Sequence, residues 1–185
     1  MMFFFSKETN LNFPQKSIES AYIAILNKEL LKAKEIFESI DNPRASWGVA
    51  LTNILLGYIS KYPTYFEIRN FLEIDLDFLI KNELIEYVEL VLGALEILSS
   101  YNQEVYKYVA RVMYENKFYK ACREYLDKSK SIFFNDPELH FIYAKYYIKI
   151  REYELAENHL EECLKILPDY YPAKILVKEI SRYLA

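Results

Sequence analysis

The side chains with metal-binding chemistry are few, and they lie in helical patterns. The chain has two histidines, His140 and His159, and Cys163 follows His159 by four residues. Imidazole and thiolate are both zinc ligands, so these three side chains are the first group to consider as a metal site. Cys163, however, occupies a small inward position of a helical pattern, whereas His159 lies beside Leu160 on a neighbouring face. We therefore predict no metal site and no cofactor.

Acid–base and nucleophilic chemistry have little support in the sequence. Adjacent or closely spaced carboxylates, such as Glu161 with Glu162 or Asp75 with Asp77, can in principle transfer protons. On an exposed helix, however, such pairs are usually solvent-facing charges. The chain contains no glycine-rich phosphate loop and no HExxH or GxSxG motif. We predict that the protein is not an enzyme.

The composition narrows the class of protein. The 185 residues are 52% hydrophobic and 27% charged, with only three Gly and six Pro, which favours helices over disorder or an all-β fold. A net charge of −4 disfavours binding to nucleic acid. No apolar run approaches the roughly 20 residues of a membrane span. Cys122 and Cys163 are not in CxxC pairs, which is typical of reduced core residues, so we expect a cytoplasmic protein that contacts neither nucleic acid nor membrane.

A period of 34 residues organises the C-terminal half of the chain. When the sequence is shifted by 34, side chains of similar size align: Tyr106 with His140, Ala110 with Ala144, Met113 with Tyr147, Cys122 with Ala156, and Leu126 with Leu160. Within each unit the apolar positions recur every three or four residues, which indicates two amphipathic helices. Small residues such as Ala110 and Ala144 allow the two helices of a hairpin to approach closely. The unit at 69–102 follows the pattern less well, because Leu76 replaces the small residue.

This arrangement resembles the tetratricopeptide repeat (TPR), a 34-residue helix-turn-helix unit. The match is best at 137–170, where the first helix carries Tyr143, Ala144 and Tyr147 and the second carries Ala156, Leu160, Cys163 and Pro168. The resemblance implies an all-α fold, a TPR-like right-handed superhelix of stacked antiparallel helical hairpins with a C-terminal capping helix. In such a superhelix the first helices line a concave face that suits an extended segment or a helix of another protein.

The repeat pattern predicts a single helical domain over residues 14–185, preceded by an N-terminal segment at 1–13. Its predicted parts are a hairpin at 14–41, an irregular region at 44–68, a degenerate repeat at 69–102, repeats at 103–136 and 137–170, and a capping helix at 171–185. Within the irregular region, Trp47, Leu51 and Ile54 predict a helix over 47–60. How residues 62–83 divide into helices stays open.

The 34-residue register also predicts which side chains face the groove. The predicted partner-binding residues are Asp77, Lys107, Arg111, Tyr114, Phe141, Lys145 and Ile148. Lys107, Arg111 and Lys145 would pair with acidic residues of a partner. Tyr114 and Phe141 would provide apolar anchoring and cation stacking. The competing interpretation is that the charged residues are simply the solvated faces of helices.

The leading hypothesis is an adaptor or chaperone that binds a segment of a partner protein in this groove. It is not the TPR clamp that grips the C-terminal carboxylate of chaperones, because only Lys107 fits that pattern. Arg111 and Ile142 stand where that clamp has asparagines. The alternative is a structural subunit of a homo- or hetero-oligomeric assembly that uses the ends or the outer face of the stack. The sequence names no particular partner.

Overall fold

A computed structural model describes residues 17–58 and 63–184. All regular secondary structure in these residues is helical, without a β-strand, which confirms the all-α prediction. The helices are α1 (Ile18–Leu26), α2 (Leu30–Glu38), α3 (Pro43–Leu55), α4 (Tyr65–Asn70), α5 (Leu76–Lys81), α6 (Ile85–Gly93), α7 (Leu95–Ser99), α8 (Val105–Glu115), α9 (Tyr119–Ile132), α10 (Pro137–Lys149), α11 (Tyr153–Ile166) and α12 (Tyr171–Leu184). A π-helical turn, Phe71–Asp75, joins α4 to α5. The predicted N-terminal segment 1–13 lies outside the described residues.

Four turns between helices share one backbone conformation. The residues with positive φ, between 57° and 65°, are Lys28, Glu83, Lys117 and Arg151. After each of them the next amide closes the end of the helix, as where the Phe118 N–H donates to the Met113 carbonyl at 2.8 Å. This is the Schellman cap of a helix C-terminus. The last three turns are 34 residues apart, so the period seen in the sequence is also the period of the turns, including that of the degenerate unit 69–102.

Small side chains are buried where the helices of the repeats meet. Helix α8 packs against α9, and α10 packs against α11, with Ala110, Ala144, Cys122 and Ala156 fully buried. Helix α10 also contacts α8 and α9, which joins one unit to the next. Helix α12 packs against α11 and occupies residues 171–184 of the range 171–185 predicted for a capping helix; residue 185 lies outside the described residues. The two cysteines are free thiols in this core.

The N-terminal hairpin and the irregular region form three helices. Helices α1 and α2 pack together within the predicted hairpin at 14–41, and α2 also packs against α3. The helix predicted over 47–60 is α3, which begins earlier, at Pro43, and ends at Leu55. Its start is defined by Asn42, whose side chain accepts a hydrogen bond from the Arg44 amide at 2.7 Å, and by a proline at the first helical position.

The segment that the sequence left undivided is one helical run from α4 through the π turn to α5. It begins at Thr64, whose hydroxyl accepts from the Glu67 amide at 3.2 Å while the Glu67 carboxylate accepts from the Thr64 amide at 2.7 Å. The π turn widens the helix locally and changes the direction in which the following side chains point. Asp75, at the end of that turn, is fully buried.

Candidate partner-binding groove

Four of the predicted groove residues line one cleft between α8 and α10. Its lining consists of Arg111, Tyr114, Glu138, Phe141, Ile142, Lys145 and Tyr170, and its volume is about 130 Å³. Ile148 is half-buried further along α10. Asp77, on α5, contacts α8 through Asn116, whose amide donates to a carboxylate oxygen of Asp77 at 2.8 Å. The structure therefore brings Arg111, Tyr114, Phe141 and Lys145 together, whereas their contact with a partner stays a prediction.

A chain of ion pairs links the π turn, α8 and α10 along one side of this cleft. The Arg111 guanidinium contacts Glu73 of the π turn and Glu138 of α10. Lys107 Nζ contacts Glu104 and Asp136, and it lies 3.2 Å from Glu138. We call these residues the interhelical ion-pair chain. Because it spans three elements, it holds the walls of the cleft in a defined arrangement.

Lys107 has a different role from the one expected of a groove lysine. Its side chain is only 3% exposed, so its ammonium is not available to a partner in solution. Burial alone would lower the pKa of Lys107, but hydrogen bonds to Asp136 and Glu104 outweigh that effect and raise the pKa. Burial would likewise raise the pKa of Glu138, but Arg111 and Lys107 lower it further than burial raises it. The network is therefore held in its charged form.

Aromatic rings form the apolar part of the cleft. Lys145 Nζ lies 4.5 Å from the centroid of the Tyr114 ring and 2.7 Å from a carboxylate oxygen of Glu115. Phe141 packs edge-on against Tyr170, with ring centroids 5.3 Å apart. Lys145 is thus already paired, like Arg111. An acidic partner residue would have to displace an existing carboxylate at either position.

Three residues of the cleft were missed by the sequence analysis, namely Glu138, Ile142 and Tyr170. Glu138 and Ile142 lie on α10 next to predicted groove positions, and an i,i+3 spacing links Glu138 to Phe141 on one helix face. That spacing could have identified Glu138 as a groove residue from the sequence. Tyr170 lies just before α12, and no helical pattern could indicate that its ring would return to α10.

A second polar cluster is buried between α1, α3 and the π turn. One Asp75 carboxylate oxygen accepts from the Tyr22 hydroxyl at 2.7 Å and from Arg44 Nη2 at 2.8 Å. The Arg44 guanidinium lies 4.6 Å from the ring centroids of both Tyr22 and Trp47. Burial raises the pKa of Asp75, and Arg44 opposes that rise. The expectation that Asp75 and Asp77 form a solvent-facing pair is therefore wrong for Asp75.

The two histidines contact each other rather than forming a metal centre with Cys163. Their Nδ1 atoms are 3.0 Å apart, and His140 Nε2 lies 3.1 Å from the Phe134 carbonyl oxygen. Because a carbonyl only accepts, His140 Nε2 carries the proton, and His159 then donates to His140 Nδ1. Across the described parts of the chain, no three His, Cys, Asp or Glu side chains are grouped so that they could hold a metal ion. The observed pair is an interhelical hydrogen bond between α10 and α11.

Cys163 and Cys122 lie in the core, where burial disfavours the charged thiolate. Burial raises the pKa of Cys122 to about 12 and that of Cys163 to about 11. Both thiols are therefore protonated at neutral pH, so neither is an activated nucleophile.

Comparison of the chain with protein-family models, with curated proteins and with solved structures finds no match. The resemblance to TPR proteins therefore stays a prediction from the repeat pattern. Over residues 17–58 and 63–184, none of the helices combines the length and the apolar character needed to cross a membrane.

Proposed function

We propose that this protein is a TPR-like adaptor or chaperone that binds a segment of a partner protein in the cleft between α8 and α10. In this proposal the hairpins stack as a right-handed superhelix, and α4–α5, α8 and α10 line its concave face. The three Schellman turns at 34-residue spacing support the stack, as do the contacts of α8 with the π turn and of α10 with α8. We place the protein in the cytoplasm and assign it no catalytic activity.

The observation that carries the proposal is a small cleft with aromatic walls and a fixed polar rim. Cofactor and drug-sized ligands occupy pockets of roughly 300–1,000 Å³. A cleft of about 130 Å³ suits one side chain of a bound protein segment instead. Because the interhelical ion-pair chain holds Arg111 and Glu138 in place, little conformational freedom is lost when a partner binds.

The pairing of the groove cations defines what the partner presents. Arg111 and Lys145 already contact carboxylates, and Lys107 is buried. We therefore assign the main contact to an apolar side chain of the partner, which enters between Tyr114 and Phe141. Polar groups of the partner segment bind the rim of the cleft, at Arg111 and Glu138. Charge reversal at Lys107 is not a test of this contact, because it would place four carboxylates together and destabilise the fold.

The decisive experiment removes the aromatic walls of the cleft. Tyr114→Ala combined with Phe141→Ala should reduce capture of the partner from a lysate of the native host by at least about tenfold, since central aromatic contacts dominate binding. The matched control is Phe133→Ala combined with Tyr65→Ala, two exposed aromatics that do not line the cleft. Circular dichroism checks that each variant keeps its helical content. Full capture by the folded cleft variant would remove the assignment.

The alternative function, a structural subunit of an oligomer, is favoured by the exposed apolar side chains of α12. Tyr171, Ile175 and Tyr183 are 69%, 41% and 57% exposed. Such residues at the end of a stack could pair with another copy or with a different subunit. Light scattering after size-exclusion chromatography distinguishes the two functions, because an obligate assembly stays oligomeric on dilution whereas an adaptor becomes monomeric.

A further inference from the structure

Positive charge is concentrated in one stretch of this acidic protein. Residues 117–151 contain eight Lys and Arg against four Asp and Glu, a net charge of +4, in a chain whose net charge is −4. Within that stretch, Arg123 pairs with Asp127 and Lys145 pairs with Glu115. Among the described residues, the other cations of the stretch have no carboxylate within ion-pair distance; they are Lys117, Lys120, Lys128, Lys130, Lys149 and Arg151.

Four of these unpaired cations lie on one edge of the molecule, which we call the basic turn edge: Lys117, Lys120, Lys149 and Arg151. Lys117 and Arg151 are the positive-φ residues of consecutive Schellman turns. Lys149 Nζ lies 5.7 Å from the centroid of the Tyr119 ring, so the end of α10 is next to the start of α9. All four side chains are exposed.

A shallow cleft of about 580 Å³ lies at one end of this edge, at the turn between α8 and α9. It is lined by Lys117, Phe118, Tyr119, Lys120, Ala121 and Glu124. The Phe118 side chain is 49% exposed, although contact of an apolar ring with water is unfavourable. Lys117 and Lys120 are close to it in the sequence. Aromatic residues are enriched in protein interfaces, so Phe118 offers an apolar anchor that isolated charges on a solvated helix lack.

Three of the four positive-φ turn residues are basic, but of these only Lys117 and Arg151 lack an ion-pair partner among the described residues. In the unit before Lys117 the same position is Glu83, and at the first turn Lys28 Nζ lies 3.4 Å from a carboxylate oxygen of Glu86. The cations of the groove also differ, because each of them contacts at least one carboxylate. Acidic groups of a ligand would therefore find four cations without an ion-pair partner at the basic turn edge, where one carboxylate, Glu124, lines the cleft, whereas every cation of the groove is already paired.

We propose that the basic turn edge binds an acidic segment of a partner protein, with carboxylates against the four cations and an apolar side chain against Phe118. This surface is separate from the cleft between α8 and α10, so the two proposals can fail independently. A protein segment fits better than a nucleic acid, because a short acidic segment contacts only this edge, whereas a long polyanion would extend over the rest of the chain, whose net charge outside residues 117–151 is −8.

The test uses a fluorescein-labelled peptide of repeating Glu-Glu-Leu and measures its anisotropy on titration with the full chain at low and at physiological salt. The peptide should bind at low salt, and its affinity should fall at physiological salt, because salt screens exposed charge pairs. Replacement of Lys117, Lys120, Lys149 and Arg151 by Gln should weaken binding by about tenfold or more. The matched control replaces Lys165, Lys174, Lys178 and Arg182 by Gln and should leave binding unchanged.

The remaining outcomes each decide the proposal. Unchanged binding by the Tyr114→Ala, Phe141→Ala variant supports a site outside the groove, whereas its loss would assign the peptide to the groove. No binding at low salt, or equal weakening by both sets of Gln substitutions, would overturn the proposal. If a single-stranded RNA of the same charge binds more tightly than the peptide, the ligand of this edge is a nucleic acid and the proposal of an acidic protein segment is wrong. Far-ultraviolet circular dichroism confirms that all variants are folded.

Discussion

At the scale of single residues, Asp75 shows how strongly one buried group depends on its partners. Its carboxylate accepts from Tyr22 and Arg44 and is fully buried. A buried ion pair adds little net stability compared with well-packed apolar residues, but removal of one partner leaves an uncompensated charge. The pair therefore specifies how α1, α3 and the π turn meet rather than adding much to the stability.

We expect Asp75→Ala to lower the free energy of unfolding by about 3 kcal/mol, measured by urea denaturation. This is the lower end of the range for a broken buried pair, because Arg44 keeps 25% of its side-chain surface exposed. Asp169→Ala is the control, since the Asp169 side chain is 96% exposed and its contact with Lys174 should contribute nothing measurable. Equal stability of the two variants would show that the Asp75 cluster is not formed.

His159 makes the stability of the α10–α11 hairpin depend on pH. Burial is the largest cause that lowers the pKa of His159 from 6.5 to about 4; His140, Lys130 and Arg123 contribute to the same lowering, and Glu162 opposes it. Burial also lowers the pKa of His140. The unfolded chain therefore takes up protons before the folded chain does. The resulting stability is complete above pH 6.5 and is lost as the pH falls to about 4.

His159→Phe should reduce that acid sensitivity. Phenylalanine keeps a ring against Tyr143 and Tyr147 but cannot titrate. Thermal or urea unfolding between neutral pH and pH of about 4 should show that the wild type loses about 2–3 kcal/mol more than the variant. His140→Phe gives a second comparison. Parallel pH profiles for wild type and His159→Phe would contradict the proton linkage.

At the scale of helices, the glycines distinguish a close packing contact from an open position. A Cβ added to Gly48 of α3 would lie 2.6 Å from the Phe37 ring, which is itself buried. Gly93, at the end of α6, has no heavy atom within 4 Å of the same added carbon. One substitution can therefore be compared at two helical sites that differ in packing.

Gly48→Ala should destabilise the protein by about 1–3 kcal/mol, because overpacking against Phe37 outweighs the better helix propensity of alanine. Gly93→Ala should stabilise it by about 0.5 kcal/mol, since only the propensity changes there. Chemical denaturation measures both. If Gly48→Ala were the more stable variant, α2 and α3 could not pack as closely as described.

Sequence reasoning succeeded where a helix feature depends on neighbouring residues. The small residues Ala110 and Ala144 recur because every hairpin needs close helix contact, and both are fully buried. It failed at Asp75, because a π turn changes which face of a helix is buried and no periodicity shows that turn in advance. It also failed at Lys107, whose partner Asp136 lies 29 residues further along the chain, directly before α10.

At the scale of the whole molecule, charge is partitioned between two surfaces. The groove combines aromatic walls with cations that the fold neutralises, whereas the basic turn edge keeps its cations unpaired. The sequence located Arg111, Tyr114, Phe141 and Lys145 on one surface because the 34-residue register fixes their spacing. It could not show which lysines would be neutralised, since ion pairs such as Arg111 with Glu73 join residues far apart in the chain.

The most direct test of the central claim, that the cleft between α8 and α10 contacts the partner, is site-specific photo-crosslinking in the native host. A photoreactive phenylalanine analogue would replace Phe141 in the cleft, or Tyr183 on α12, in otherwise unchanged full-length chains. We expect position 141 to crosslink to a segment of a partner protein and position 183 to give no product. Crosslinks from position 183 alone would contradict the groove and would assign association to the end of the chain.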